Sequence, residues 1–180
     1  WGYTLAAVLA LALYSTPSSA GSMQWQLLDA GDPLEGDGSR LVHLQAANRT
    51  VLMYGDQFMV PMQWTLNNAN LWTRDLFSTS FTPVYKPAVA YDSRRNVIVH
   101  FGGFDRNYLP IAETWEYDGS AWTKRTDVGA PPARGRSSMA FDSARGVMVL
   151  FGGNVPPGEL GDTWEYDGGA WAPGVAPPPS

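Results

Sequence analysis

A unit of about fifty residues occurs twice in this sequence, and that repetition restricts the fold more than any other feature. The first copy contains AVAYDSRRNVIVHFGGF and then ETWEYDGSAW, over residues 88–122. The second contains SMAFDSARGVMVLFGGN and then DTWEYDGGAW, over residues 138–171. Tyr91 aligns with Phe141, and Gly102-Gly103 with Gly152-Gly153, fifty residues apart. Trp115 and Trp164, like Trp122 and Trp171, are 49 apart, so one residue is lost between. A weaker copy lies upstream, where Arg40–Leu44 precedes Thr50–Asp56, Gln63–Leu66 and Leu71-Trp72. It sets Tyr54-Gly55 against Phe101-Gly102, 47 residues earlier, with Asp56 in place of the second glycine. Gln24-Trp25-Gln26 resembles Ala121-Trp122-Thr123 and reads as an outer strand of a preceding unit. Units of this size cannot bury an apolar face alone, so they stack on one another.

Each unit reads as short strands joined by turns. Ser138–Phe141 is a strand, and Asp142–Gly146 a turn with Asp at its start and Gly where φ is positive. Val147–Phe151 is a continuous apolar run, as in a strand covered on both faces. Asp162–Tyr166 is a third strand, Asp167-Gly168 a hairpin turn, and Ala170-Trp171 opens a fourth strand. Gly 19 and Pro 14, with 13% aromatic residues, suit such a fold. The expectation is an all-β chain with units near residues 38–75, 85–125 and 135–173.

The paired glycines after an apolar strand, followed by a Tyr-Asp turn and a Trp, resemble kelch repeats of the bacterial exported type. The resemblance implies kelch-type β-propeller blades of four antiparallel strands, about three of them, in a partial or open propeller. It implies that Gly102, Gly103, Gly152 and Gly153 pack near the axis, and that Tyr117, Trp122, Tyr166 and Trp171 pack between blades. The Tyr-to-Trp spacing is shorter than usual in that family, and Asp56 departs from the pattern. Closed propellers take about 4–8 blades. Three blades leave three alternatives: a truncated chain, a ring closed with another chain, or an open set against a large partner.

Residues 1–14, WGYTLAAVLALALY, carry no charge and precede the small polar stretch Ser15–Gly21. Residues 1–20 therefore read as a signal peptide or as a membrane anchor, with an N-terminal apolar helix, and residues 21–180 as the propeller segment. A helix of 14 residues covers about 21 Å, against a hydrocarbon core of roughly 30 Å. A buried core helix is the third reading. Signal and anchor alike place the repeats outside the cytoplasm: periplasmic, extracellular or membrane-anchored facing outward. The anchor adds membrane association through residues 1–14.

Several chemistries are disfavoured. The net charge is −5 with no basic run, which argues against nucleic acid. The absence of cysteine excludes disulfides, thiolate metal sites, cysteine nucleophiles and a Cys-linked lipid anchor. It also leaves unsupported the copper-oxidase activity found on some kelch folds, which uses a Cys-modified Tyr. His43 and His100 lack metal-ligand spacing. No nucleophile elbow or phosphate loop occurs. The recurring carboxylates Asp92 and Asp142, Glu116 and Glu165, Asp118 and Asp167 mark turns and surface strands. No enzyme activity, cofactor or metal is expected.

Binding is expected on the face that carries the longer connections, residues 57–62, 104–112, 123–135 and 154–161. Phe104, Asp105, Arg106, Asn107, Tyr108 and Leu109 are the best candidates, combining apolar anchors with an arginine. The stretch Leu71–Val84 reads as a fourth strand plus linker, or as a docking arm. The leading function is a non-catalytic binding or scaffold module for a protein partner, with carbohydrate as the other ligand class. The alternatives are an accessory structural subunit of a membrane complex and a propeller-based hydrolase or lyase.

Overall fold

The computed structural model describes residues 11–14, 24–27, 40–55, 61–66, 72–75, 84–125 and 128–174. Among the described residues the chain is all-β. Strands β1 (Leu11–Tyr14) and β2 (Gln24–Leu27) form an antiparallel pair. The helix expected over residues 1–14 falls mostly outside the described residues, and its last four positions are strand β1. Among the described residues no helix is long and apolar enough to cross a membrane.

Three four-stranded antiparallel sheets follow, each in simple sequential order. The first holds β3 (Arg40–Leu44), β4 (Arg49–Gly55), β5 (Pro61–Leu66) and β6 (Trp72–Asp75). The second holds β7 (Ala88–Asp92), β8 (Val97–Phe101), β9 (Thr114–Tyr117) and β10 (Trp122–Lys124). The third holds β11 (Ser138–Asp142), β12 (Val147–Val155), β13 (Gly158–Tyr166) and β14 (Trp171–Pro173). Of the Leu71–Val84 stretch, Trp72–Asp75 supplies the fourth strand of its sheet, and residues 76–83 lie outside the described part.

The turn between first and second strands explains why the second and third sheets start as they do. Asp92 Oδ1 accepts the backbone N–H groups of Arg94 and Arg95 at 2.9 and 3.0 Å. Asp142 Oδ1 does the same for Ala144 and Arg145, both at 3.0 Å. An aspartate that satisfies its own turn amides fixes the reversal locally. The last turn residue lies in the left-handed region each time: Asn48 at φ 46°, Asn96 at 58°, Gly146 at 71°. Asn and Gly are the residues that tolerate this conformation best.

Those turns also correct the alignment of the first copy. Leu44↔Arg49, Asp92↔Val97 and Asp142↔Val147 are the equivalent closing pairs. Met53 then corresponds to Phe101, at an offset of 48 rather than 47. Gly55 keeps the place of the second glycine, Gly103, and Tyr54 takes that of Gly102. A one-residue slip would have turned every side chain to the opposite face.

A second correction concerns residues 154–161, expected as an open loop. The β12–β13 ladder continues through Gly153↔Leu160, Asn154↔Glu159 and Val155↔Gly158, with an irregularity between Phe151 and Gly153. The connection is a tight turn at Pro156-Pro157, where neither residue has an N–H to pair.

Side chains of the middle sheet alternate between two neighbours. Ile98, Trp115, Tyr117 and Trp122 pack with Val42, Leu44, Val51 and Met53 of the first sheet. Val99, Phe101 and Ala88 face the other way, onto Met148, Leu150, Tyr166 and Trp171 of the third. Burying a large apolar side chain is worth about 1.5–3 kcal/mol, so these two layers dominate the stability. Tryptophan ties each layer polar-wise as well. Trp122 Nε1 donates to Gln63 Oε1, and Trp171 Nε1 to Thr114 Oγ1, both at 2.9 Å and both buried. Each Trp stacks on the Tyr of its own sheet, with centroids 5.1 and 5.0 Å apart. First strands of successive sheets lie against each other, β3 by β7 and β7 by β11, whereas β6, β10 and β14 do not meet. The sheets therefore fan outward from their first strands.

Close approach of the backbone between adjoining sheets explains one of the glycines. Gly102 has φ 67°, and a Cβ there would strike the carbonyl oxygen of Arg134 in the strap before the third sheet. That same carbonyl accepts the Gly103 N–H at 2.8 Å.

Candidate binding surface

In each of the second and third sheets the connection between second and third strands leaves at the end opposite the first-to-second-strand turn. The segment between β8 and β9 is a compact loop. Asp105 Oδ1 accepts the backbone N–H of Asn107 at 2.8 Å and of Leu109 at 2.9 Å. The Asp105 N–H donates to Leu109 O, and the Tyr108 N–H to Asp105 O, both at 2.9 Å. The amide bonds to Oδ1, the one from Leu109 foremost, hold the Asp105 carboxyl below its ordinary value. Phe104 lies beneath, buried, bridging in strand fashion to Tyr85 and Pro110. Gly135 accommodates its ring, since a Cβ there would collide with it.

The six loop residues thus divide by role. Phe104 is a support and Asp105 a brace, while Arg106, Asn107, Tyr108 and Leu109 are exposed. Tyr108 and Leu109 are 59% and 60% exposed, which is unusual for adjacent large apolar side chains. Tyr108 also sits at φ 58°. A bulky residue held in that region costs about 1 kcal/mol or more, and such strain concentrates at functional positions.

Residues outside the expected set complete the surface. The Tyr85 and Tyr108 rings meet edge to face at 6.3 Å. Lys86 Nζ lies 4.9 Å from the Tyr85 centroid, and the Arg136 guanidinium 6.0 Å from that of Phe104. Lys86 and Arg136 are repeat equivalents, both at positive φ, and the Arg136 N–H donates to Lys86 O at 2.9 Å. The fifty-residue offset, extended three residues upstream of Ala88 and Ser138, aligns Tyr85-Lys86 with Gly135-Arg136 and could have found them. An acidic chain therefore carries three cations, Lys86, Arg106 and Arg136, around one aromatic tip.

Other charged groups serve the scaffold. Arg134 is buried and reaches both oxygens of Asp162 while also donating to the carbonyls of Gly152 and Pro132. Its hydrogen bonds hold the Asp162 carboxyl down to about 2. Arg95 joins Asp92 to Glu116, and Arg145 joins Asp142 to Glu165. Asp118 and Asp167 accept the amides of their own hairpin turns. The eight repeat residues sit as follows. Gly102, Gly103, Gly152 and Gly153 all have positive φ, and Tyr117, Trp122, Tyr166 and Trp171 lie buried in the two layers between sheets. His100 is buried against Trp122, at 6.0 Å, and desolvation lowers its pKa to about 4. Among the described residues no three His, Asp or Glu side chains gather as a metal would need. Compared with known proteins, the chain matches no family model and no curated protein sequence.

Proposed function

We propose that this chain forms adjoining blades of a kelch-type β-propeller outside the cytoplasm, and that it binds a protein partner through the Tyr108–Leu109 tip without catalysis. The observation that carries the reading is the exposed, strained and braced tip, flanked by Tyr85, Lys86, Arg106 and Arg136. Rigid aromatic anchors with arginine nearby are what energetically dominant interface residues look like. Preorganisation by Asp105 lowers the ordering cost of association. The three cations favour a partner surface that is apolar at its centre and acidic at its rim. The sequential sheets, converging at their first strands with Trp-mediated contacts between them, support the propeller reading.

Incorporating a photoreactive phenylalanine analogue in place of Tyr108 tests this in the native host. We expect a discrete cross-linked protein at position 108 and none with the same probe at Ser143, an exposed turn residue on the opposite face. Equal labelling at both positions, or glycan-array binding that survives Tyr108→Ala with Leu109→Ser, refutes the reading.

A further inference from the structure

The two seams that join the three sheets differ at one equivalent position. In the seam between the first and second sheets, His100 of β8 stands between Val89 and Trp115 of the neighbouring strands. In the seam between the second and third, Leu150 of β12 stands between Met139 and Trp164. Both are closed off from water, at 2% and 0% exposure. His100 shares its face of β8 with Ile98, which packs onto Val42, Leu44, Val51 and Met53 of the first sheet. Its ring meets the Trp122 indole edge to face at 6.0 Å. That indole N–H crosses the seam to Gln63 Oε1 at 2.9 Å. A titratable ring therefore abuts a hydrogen bond that ties the two sheets together.

The groups around His100 are poorly suited to a positive charge. On its own sheet Glu113 attracts it, but that carboxylate already accepts from Lys124 Nζ and Trp115 Nε1. Across the seam stand Gln63 and Thr65, both buried and neutral. Arg40, by register on the same face of β3 as Val42, carries a like charge. An enclosed charge must be paired or rehydrated. The direct route to water for an imidazolium here is for the two sheets to part. Leu150 gains no charge at any pH, so the other seam lacks this trigger. The second histidine of the chain, His43, is exposed and meets Thr50 Oγ1 at 3.0 Å.

We infer that the seam between the first and second sheets is an acid-opened joint triggered by His100, while the seam between the second and third sheets stays shut. In the closed joint burial holds the His100 pKa down to about 4, whereas a hydrated histidine titrates near 6.5. The opened joint therefore takes up the proton first as pH falls, and proton uptake draws the equilibrium toward it. Opening should be on the order of 30-fold more populated at about pH 5 than at about pH 7.5. The opening separates Trp122 from Gln63 and leaves Trp171 on Thr114, so the second and third sheets remain one body, with the 104–109 loop and the 128–137 connection in place.

Each seam carries its own reporter, so the test is indole N–H exchange in the full chain labelled at tryptophan, followed by NMR and corrected for the intrinsic pH dependence of indole exchange. We expect opening at Trp122 to rise on the order of 30-fold between about pH 7.5 and about pH 5, with Trp171 unchanged. His100→Leu, which copies the third sheet, should abolish the rise at Trp122. Leu150→His should confer it on Trp171. If Leu150→His fails to fold, the comparison of wild type with His100→Leu still decides. No acid response at Trp122, equal responses at both indoles, or a Trp122 response that persists in His100→Leu overturns the inference.

Discussion

Trp171 and Thr114 lie 57 residues apart in sequence, yet the indole N–H of the first donates to the hydroxyl of the second at 2.9 Å inside the layer between sheets. The bond is buried, so losing the acceptor strands a donor away from water. We expect Thr114→Val to lower stability by about 1–2 kcal/mol, although it preserves shape. Trp171→Phe should couple to it in a double-mutant cycle by roughly 0.5 kcal/mol or more, read by urea unfolding. Strict additivity would mean that the bond carries no energy.

The Arg134–Asp162 pair joins an enclosed guanidinium to a carboxylate that still reaches water. Asp162→Ala leaves Arg134 buried with only carbonyl partners, and should cost about 2–3 kcal/mol. Since the Asp162 pKa is depressed to about 2, its contribution is complete above the ordinary aspartate value and fades as pH falls from about 4 to about 2. Acid titration of wild type and Asp162→Asn, followed by tryptophan fluorescence, should show the two curves converging in that window. Parallel curves would exclude the pair as the source.

His100 acts in a different pH range. Its pKa is lowered to about 4 by burial, so the unfolded chain takes up a proton first as pH drops. Stability from this residue is therefore present above about 6.5 and is lost on the way down to about 4, by a total of about 3 kcal/mol. The third sheet has Leu150 at the same position, fully buried. His100→Leu should fold and should flatten the dependence between pH 6.5 and 4. Midpoint denaturant concentrations at five pH values would decide it.

Gly102 and Gly152 share a conformation, with φ 67° and 66°, but not an environment. Alanine at either must adopt positive φ, at about 1 kcal/mol. At Gly102 it also strikes the Arg134 carbonyl, whereas at Gly152 the nearest atom, Leu160 O, is 3.1 Å away. Gly102→Ala should therefore destabilise by about 3 kcal/mol and Gly152→Ala by about 1. Equal losses would show that conformation alone matters at both.

Much of the architecture could be read from residue order. Asp142–Gly146 and Asp167-Gly168 became the turns they indicated, and Val147–Phe151 became a strand, though not one covered on both faces as its apolar run suggested, since Phe151 is 47% exposed. The slip at Tyr54-Gly55 arose because one glycine of the pair is replaced there. Only the positive-φ asparagines, Asn48 and Asn96, fix the true register, and φ is not visible in a letter. The 154–161 segment read as loop because Pro156-Pro157-Gly158 resembles a linker as much as a hairpin tip. In the binding surface, the sequence could nominate Tyr108 and Leu109 by type. It could not reveal that Phe104 turns inward, because that depends on Gly135, which sits 31 residues away and leaves room for the ring.

The two-sided covering of the middle sheet has a consequence for how the molecule opens. Deuterium should enter β8 last, because Ile98 seals one side and Val99 the other, both fully enclosed. The end sheets, each closed on a single side, should exchange through smaller fluctuations. Loosening then travels inward from the flanks, and the 104–109 loop springs from the strand that is slowest to yield.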